Sequence, residues 1–344
     1  MVFRVRSEVL RVLRLRRDAS VQQALSLSLA RLFLGPKRAS SSEGREVFLY
    51  LETPDEISIV CEDEVCNEFF SFESSALLVL DQKWRAIQLI NPDGVEASGI
   101  VYEISQKMAQ HSLSIMCLCS WQSLWILVDA MDIGKATEVM ENLPSQQRAT
   151  SPSPVNETIA APIPVPVGKM TLDDASFAPI VTPEFSDLRH LLLHPAELQL
   201  THWANPNMAE ILKEVIYPRD ESEPMLQSYF FLSILDDSGA TICGSLPLLE
   251  GLGVPVLPQA LSLRALRITG ESLGFSEAGI VATLSRPLAS AKIPTFYLSS
   301  FDTDHVFCQP ADLATVQRVV TANFRWEEEE WDDCRVLETP WMQQ

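Results

Sequence analysis

The chain has 344 residues, 47% of them hydrophobic, which is enough for several small domains with real cores. Its net charge of −20 weighs against nucleic-acid binding through phosphate neutralisation, and no apolar run reaches the roughly 20 residues of a membrane span. The charge is uneven, with +7 in residues 1–38 and −27 in the rest, an excess that suits recognition of a cation.

Seven cysteines without a CxxC pair, and an Arg-interrupted start without a secretory apolar region, point to a reducing, cytoplasmic setting. The Arg-rich start has a second reading as a mitochondrial presequence. Against that reading, Val9 to Leu15 (VLRVLRL) looks like strand.

Residues 8–17 read as strand, and Val21, Leu25, Leu29, Leu32 and Phe33 have helical spacing up to Gly35-Pro36. Val47–Leu51 and Ile57–Val60 read as paired strands joined through Thr53-Pro54-Asp55. Ala76–Leu80 and Trp84–Ile90 follow as strands, then a turn at Asn91-Pro92-Asp93-Gly94. A helix over Gly99–Gln110, strands over Leu113–Cys119 and Trp125–Val128, and a helix over Ile133–Asn142 complete a βαββα order, the pattern of a ferredoxin-like unit. Residues 143–168 are rich in Pro, Ser and Thr and read as a linker.

Beyond the linker, Leu188–Leu193 and Met208–Ile216 read as helical. Tyr229–Leu235 and Ala240–Cys243 form a hairpin, Leu263–Ile268 a strand, Thr295–Ser300 a strand and Asp312–Thr321 a helix. From EEEEWDD onward the chain is an acidic tail. The units divide as 1–75, 76–142, the linker 143–168, 169–260, 261–325 and the tail 326–344.

The chain repeats itself. A 30-residue window at Gly99 and another at Gly279, 180 positions on, align without a gap. The identical pairs are Gly99/Gly279, Ile100/Ile280, Val101/Val281, Ser105/Ser285, Ala109/Ala289, Leu118/Leu298 and Ser120/Ser300. Two similar halves follow, each ending in a βαββα unit. Pairing them side by side covers exposed sheet edges and leaves room for a ligand between the copies.

Gly274 and Gly279 flank Phe275-Ser276-Glu277-Ala278, with Ser276 as an N-cap for a helix starting near Ala278. Free N–H groups of Gly279, Ile280 and Val281 would then suit a carboxylate, and Glu277 an ammonium. The plainer reading is a tight strand-to-helix turn. Asp302 and Asp304, two residues apart past a strand, can fork a guanidinium or ammonium, can bind a metal, or can simply make a polar loop. His190 and His194 have i, i+4 spacing on RHLLLH but lack the Glu of HExxH, so they make no zinc motif. No nucleophile elbow, phosphate loop or cofactor motif is present, so nothing here calls for catalysis, a cofactor or a metal.

The stretch GESLGFSEAGIVATLSRPLASAKIPTFYLSSFDTDHVF closely resembles the last ACT domain of the CASTOR family, the cytosolic arginine sensors of the TOR pathway. LETPDEISIVCEDE resembles the family's TETPED segment, and AQHSLSIMCLCSWQSLWILV its second ACT domain. The resemblance implies an α+β fold of tandem ferredoxin-like (βαββαβ) ACT domains, about four per chain in two similar halves, and a non-catalytic function.

It also implies free arginine bound between the second and fourth ACT domains. Ser114 and Ile115 would meet the ligand's α-amino and carboxylate end. Gly274, Glu277, Gly279, Ile280 and Val281 would form the loop and helix start over that end. Ser300, Phe301, Asp302, Thr303 and Asp304 would line the side-chain end, with Asp304 on the guanidinium. The family turn reads Thr-Phe-Asn-Phe-Asp, so Thr303 replaces an aromatic and opens that wall, while Asp302 adds negative charge.

The family loop that docks the GATOR complex corresponds to Trp121, Gln122, Ser123 and Leu124, with Leu124 in place of an acid. A homodimer through sheet edges is a further expectation. Two rival functions share this fold: a regulatory ACT subunit of an amino-acid metabolic enzyme, and a ligand-free ACT scaffold.

Overall fold

The computed structural model describes residues 3–16, 25, 28–30, 32, 47–53, 56–70, 77–90, 98–143, 189–203, 229–236, 239–254, 260–269 and 277–328. The turn at 91–94, the linker beyond residue 143, the helix expected over 208–216, Gly274, Ser276 and the tail beyond residue 328 lie outside the described residues.

The first stretch carries β1 (Phe3–Val5), β2 (Leu10–Arg16), β3 (Phe48–Glu52), β4 (Glu56–Glu62), α1 (Asp63–Phe69) and β5 (Leu77–Val79). Next come β6 (Trp84–Ile90), α2 (Ser98–Gln110), β7 (Met116–Cys119), β8 (Ser123–Asp129) and α3 (Ile133–Glu141). The third stretch has β9 (His190–Trp203), β10 (Phe230–Asp236), β11 (Gly239–Ser245) and α4 (Leu246–Gly251). The last has β12 (Leu261–Thr269), α5 (Ile280–Ser290), β13 (Thr295–Ser299), β14 (Asp304–Cys308), α6 (Leu313–Val320) and β15 (Arg325–Glu328). Between β2 and β3, the described residues Leu25, Ser28, Leu29, Ala30 and Leu32 are helical.

Strand pairing runs β6-β8-β7-β13-β14-β12-β9-β11-β10-β3-β4-β2 and returns to β6, where Leu10 pairs Trp84. This circuit leaves few free edges, which are the groups through which sheets aggregate. Alternate residues of one strand serve two cores. Val12, Leu49, Leu51 and Val60 join a cluster with Trp84, Ile126, Leu266 and Phe296, whereas Leu13, Phe48, Tyr50 and Ile59 join Phe230, Ile242 and Leu249. Burial on both faces explains why these strands read as near-continuous apolar runs.

The 180-residue repeat is a rotational pseudo-symmetry. Its equivalent residues meet across the axis, as they do in an isologous dimer. Leu118 pairs Leu298 where β7 meets β13, and the Ser105 and Ser285 hydroxyls lie 3.5 Å apart between α2 and α5. β3 and β10 pair in the same manner, with Leu51 opposite Phe231.

Both long helices also end alike. Leu113 N–H donates to Met108 O and Ile293 N–H to Leu288 O, closing Schellman motifs. In each the residue before the last donor is left-handed, Ser112 at φ 54 and Lys292 at φ 56. A side chain there is strained, so Ser112→Gly is expected to stabilise the fold by roughly 1 kcal/mol, read as a raised midpoint in urea.

The expected elements are largely present, with three corrections. Leu188–Leu193 is not helix: His190 opens the 14-residue strand β9. The motif RHLLLH is too short to distinguish the two periods. In the structure Leu191 and Leu193 are buried and Leu192 is partly exposed, an alternation set by pairing with β12 and β15. The acidic tail does not begin at residue 326: Trp326, Glu327 and Glu328 lie in β15, parallel to β9, and Glu327 accepts a hydrogen bond from His190. The α5 helix starts at Ile280 with Gly279 as its N-cap, two residues later than expected.

The Arg-rich start is strand with paired charges. Arg6 meets Glu8 at 2.6 Å and lies over the Trp125 ring, and Arg11 bonds Asp63 at 3.1 Å. No helix among the described residues is long and apolar enough to cross a membrane.

Candidate ligand site

A cleft half open to solvent lies between the second and fourth stretches, lined from both sides of the pseudo-axis. Gly279 reaches it because its φ of 97° turns the chain from loop into α5. Its carbonyl accepts bonds from Thr283 N–H and the Thr283 hydroxyl, each at 2.9 Å. The N–H groups of the first turn have no partner within their own helix, so Ile280, Val281 and Ala282 present donors and a positive helix end to the cavity. An alanine at position 279 meets the left-handed penalty. Gly279→Ala is therefore expected to cost roughly 1–2 kcal/mol by thermal unfolding and to displace the helix start.

The opposite wall is β7 and the turn before it. The Ser114 hydroxyl donates to the Glu277 carbonyl at 3.1 Å, which ties the loop ahead of α5 to the second unit. Ile115 and Met116 follow along the same wall.

The far end is the turn between β13 and β14. Ser300 closes it: its N–H and hydroxyl both donate to Thr303 O, at 2.7 and 2.8 Å. Behind it stands His305, fully buried and with its pKa pushed down by burial to about 3, hence neutral. Its ring nitrogens contact the Ser300 hydroxyl at 3.3 Å and the Tyr229 hydroxyl at 3.2 Å. The Thr303 hydroxyl bonds Ile268 O, so this wall is tied to β12.

Asp304 begins β14 opposite Ser299 and is 5% exposed. Burial raises its pKa to about 6, against the opposing influence of the Ser299 and Tyr297 hydroxyls and the Arg189 charge. A buried carboxylate without a full counter-charge is the group that gains most from an incoming cation.

The cavity gathers Ser114, Ile115, Glu277, Gly279, Ile280, Val281, Ser300, Phe301, Thr303 and Asp304. Asp302 is a correction: it does not fork with Asp304. Its carboxylate turns outward and pairs Arg14 of β2 at 2.7 Å. In a turn, unlike an extended strand, side chains two apart need not point the same way.

The same segment docks on the first stretch. Phe301 N–H donates to the Ser58 hydroxyl at 2.8 Å, and Asp302 N–H to Glu56 Oε1 at 3.3 Å. Arg14 lies 3.4 Å from Glu56 as well. Burial, and then the neighbouring Asp302, push the Glu56 pKa up to about 7.

The sequence analysis missed Ser105, Met116, Ala282 and Ser299, which also line the cavity. Ser105 carried a signal, as one of the repeat's identical pairs. It also missed Arg189, whose guanidinium meets Glu277 at 3.0 Å. Residues 88 positions apart leave no local pattern.

The pseudo-symmetric counterpart of the turn is Ser120–Ser123. It closes identically, with Ser120 N–H and hydroxyl on Ser123 O at 2.8 and 3.1 Å. It docks similarly too, Trp121 N–H bonding the Thr241 hydroxyl at 2.9 Å and the Trp121 ring stacking on His202. Here Leu124 stands where Asp304 stands in the other copy, so this place lacks the carboxylate. Ser123 and Leu124 are buried and Trp121 is half-buried, leaving Gln122 as the exposed member of the four expected to dock a partner. A docking surface therefore does not rest on Ser123 or Leu124.

Residues 261–322, which hold β12 through α6, match the ACT domain family. The fold of this segment is accordingly ACT-type. Over most of its length the chain is related to proteins named cytosolic arginine sensor for mTORC1 subunit 1. The Homo sapiens protein is 25% identical over 319 residues, covering 85% of this chain and 89% of that protein. The Bos taurus protein is 26% identical with the same coverage. Among solved structures, aspartate kinase from Synechocystis overlaps at a TM-score of 0.33 and 13% identity, covering 94% of this chain and 55% of that one. That overlap is too loose to bear on function.

Proposed function

We propose that the chain is a non-catalytic cytosolic sensor of a free amino acid, arginine foremost, which regulates TOR-pathway signalling through a protein partner. In this reading the chain holds four ACT-type units, and the ligand lies between the second and the fourth. The single observation that carries it is the buried Asp304 at one end of a cavity whose other end is a helix start.

The parts suit a zwitterion with a cationic side chain. Its carboxylate would lie on the N–H groups of Ile280, Val281 and Ala282. Its ammonium would be taken up by Glu277 and the Ser114 segment, and its guanidinium by Asp304. Ligand binding shifts a partner surface only by its differential affinity for the two states. A GATOR-type complex is the partner this reading names, with Gln122 as its exposed contact, and a homodimer is compatible with it.

Calorimetric titration with L-arginine, L-lysine and L-citrulline tests the reading. Heat is expected with arginine, less with lysine and least with citrulline, whose ureido group is neutral. Absence of heat for every amino acid at millimolar concentration sinks it. A pull-down with and without arginine separates a signalling partner from a metabolic enzyme.

A further inference from the structure

Arg189 sits where the chain enters β9, and its position is determined by the fold. Its carbonyl accepts a hydrogen bond from Arg325 N–H at 2.9 Å, and the next residue, His190, pairs both Thr269 and Arg325. Its side chain is 12% exposed, although that of its partner Glu277 is 41% exposed. The Nη2 atom donates to Glu277 Oε2 at 3.0 Å, and the same positive charge is felt at the Asp304 carboxyl. A guanidinium belonging to the chain thus already engages one acid of the cavity, and its charge acts on the other.

We propose that Arg189 is the specificity-determining residue of this pocket. It competes with the ligand's α-ammonium for Glu277, and its charge opposes a second cation beside Asp304, so that it sets the concentration at which a free guanidinium amino acid enters. The proposal rests on the amino-acid-sensor reading above.

The competition has a physical basis. The tethered group has the head-group chemistry of the ligand and acts at a high local concentration set by its short tether. It also lowers the net negative charge of the cavity, which selects against dications and polyamines more strongly than against a zwitterion with one cationic end. Because Glu277 is partly exposed, solvent screening keeps the effect modest.

The test titrates the full-length wild type, Arg189→Gln and Arg189→Lys with L-arginine and with L-citrulline. Arg189→Gln is expected to bind arginine roughly fivefold more tightly than wild type. Citrulline keeps the α-ammonium that Glu277 takes up, so it should tighten too but by less than arginine, and Arg189→Lys, which keeps the charge, should stay near wild type. Arg189→Met is a second uncharged variant that keeps the buried stem, and it must behave as the glutamine one. Unchanged or weaker arginine binding in the uncharged variants, with heat still seen for wild type, overturns the role of Arg189 and leaves the sensor reading standing. No heat from any of the proteins overturns the sensor reading and this role together.

Discussion

Asp304→Asn is expected to weaken arginine binding by about 100-fold or more, because a charge-assisted contact becomes a neutral one at a carboxyl that is only 5% exposed. The asparagine keeps the shape of the turn, so the fold survives and the loss reads as affinity, by calorimetry. Equal affinity in the variant would move the cationic end of the ligand elsewhere.

The same carboxyl gives a dependence on pH. Its pKa is raised by burial from an ordinary 3.8 to about 6, so in the unliganded protein it takes up a proton as pH falls through 6. Arginine needs the ionised form. Affinity is therefore expected to fall below about pH 6, and binding near that pH should release protons. Titration in buffers of different ionisation enthalpy detects that release.

For stability the sign is opposite to that of a carboxylate held in a salt bridge. Between pH 3.8 and about 6 the folded chain binds the Asp304 proton and the unfolded chain does not. Stability from this group thus falls as pH rises through that window and is flat above it, by an amount on the order of 3 kcal/mol. The Tm gain from arginine should shrink at pH 5, where roughly a tenth of the carboxyl is ionised.

The second large effect lies at the junction of the turn with β2 and β4. Arg14→Ala leaves Glu56 and Asp302 facing each other, one of them 2% exposed, with Asp302 N–H still on Glu56. Arg14 is itself 22% exposed, which reduces the loss below that of a fully buried ion pair. A destabilisation of roughly 2 kcal/mol is expected, read by urea unfolding.

Glu56→Gln is the contrasting variant. It keeps an acceptor for Asp302 N–H and removes a carboxyl whose pKa is raised from 4.5 to about 7. It is expected to stabilise the protein at pH 8 and to flatten the fall in stability between about pH 4.5 and 7. Both variants should alter ligand affinity less than Asp304→Asn does, because neither removes a group that lines the cavity.

The two pseudo-symmetric turns show how one architecture carries one site rather than two. Ser120–Ser123 and Ser300–Thr303 share their hydrogen bonds and both dock on a hydroxyl of a neighbouring unit. The difference is Leu124 against Asp304, a buried apolar side chain against a buried acid. The copy with leucine contributes to the core, and the copy with aspartate holds the buried acid that the proposed site requires.

By itself the sequence determined the strands β3, β4, β6 and β12, whose apolar runs exceed any local alternative, and helices α2, α3 and α6. It also determined the repeat, because both copies must present matching residues to a shared axis, and Leu118 with Leu298 does so. Gly279 and Asp304 were legible because a helix start and an acid past a strand are local features, and Ser300 through the repeat and the family resemblance.

Tertiary structure decided what depends on distant neighbours. RHLLLH became strand because β12 and β15 offered it partners. Asp302 turned from the cavity because Arg14, nearly 290 positions away in the chain, lies 2.7 Å from it. Arg189 came within 3.0 Å of Glu277 because β9 delivers it there. Each of these is a contact between segments far apart in sequence, and local periodicity carries no information about such contacts.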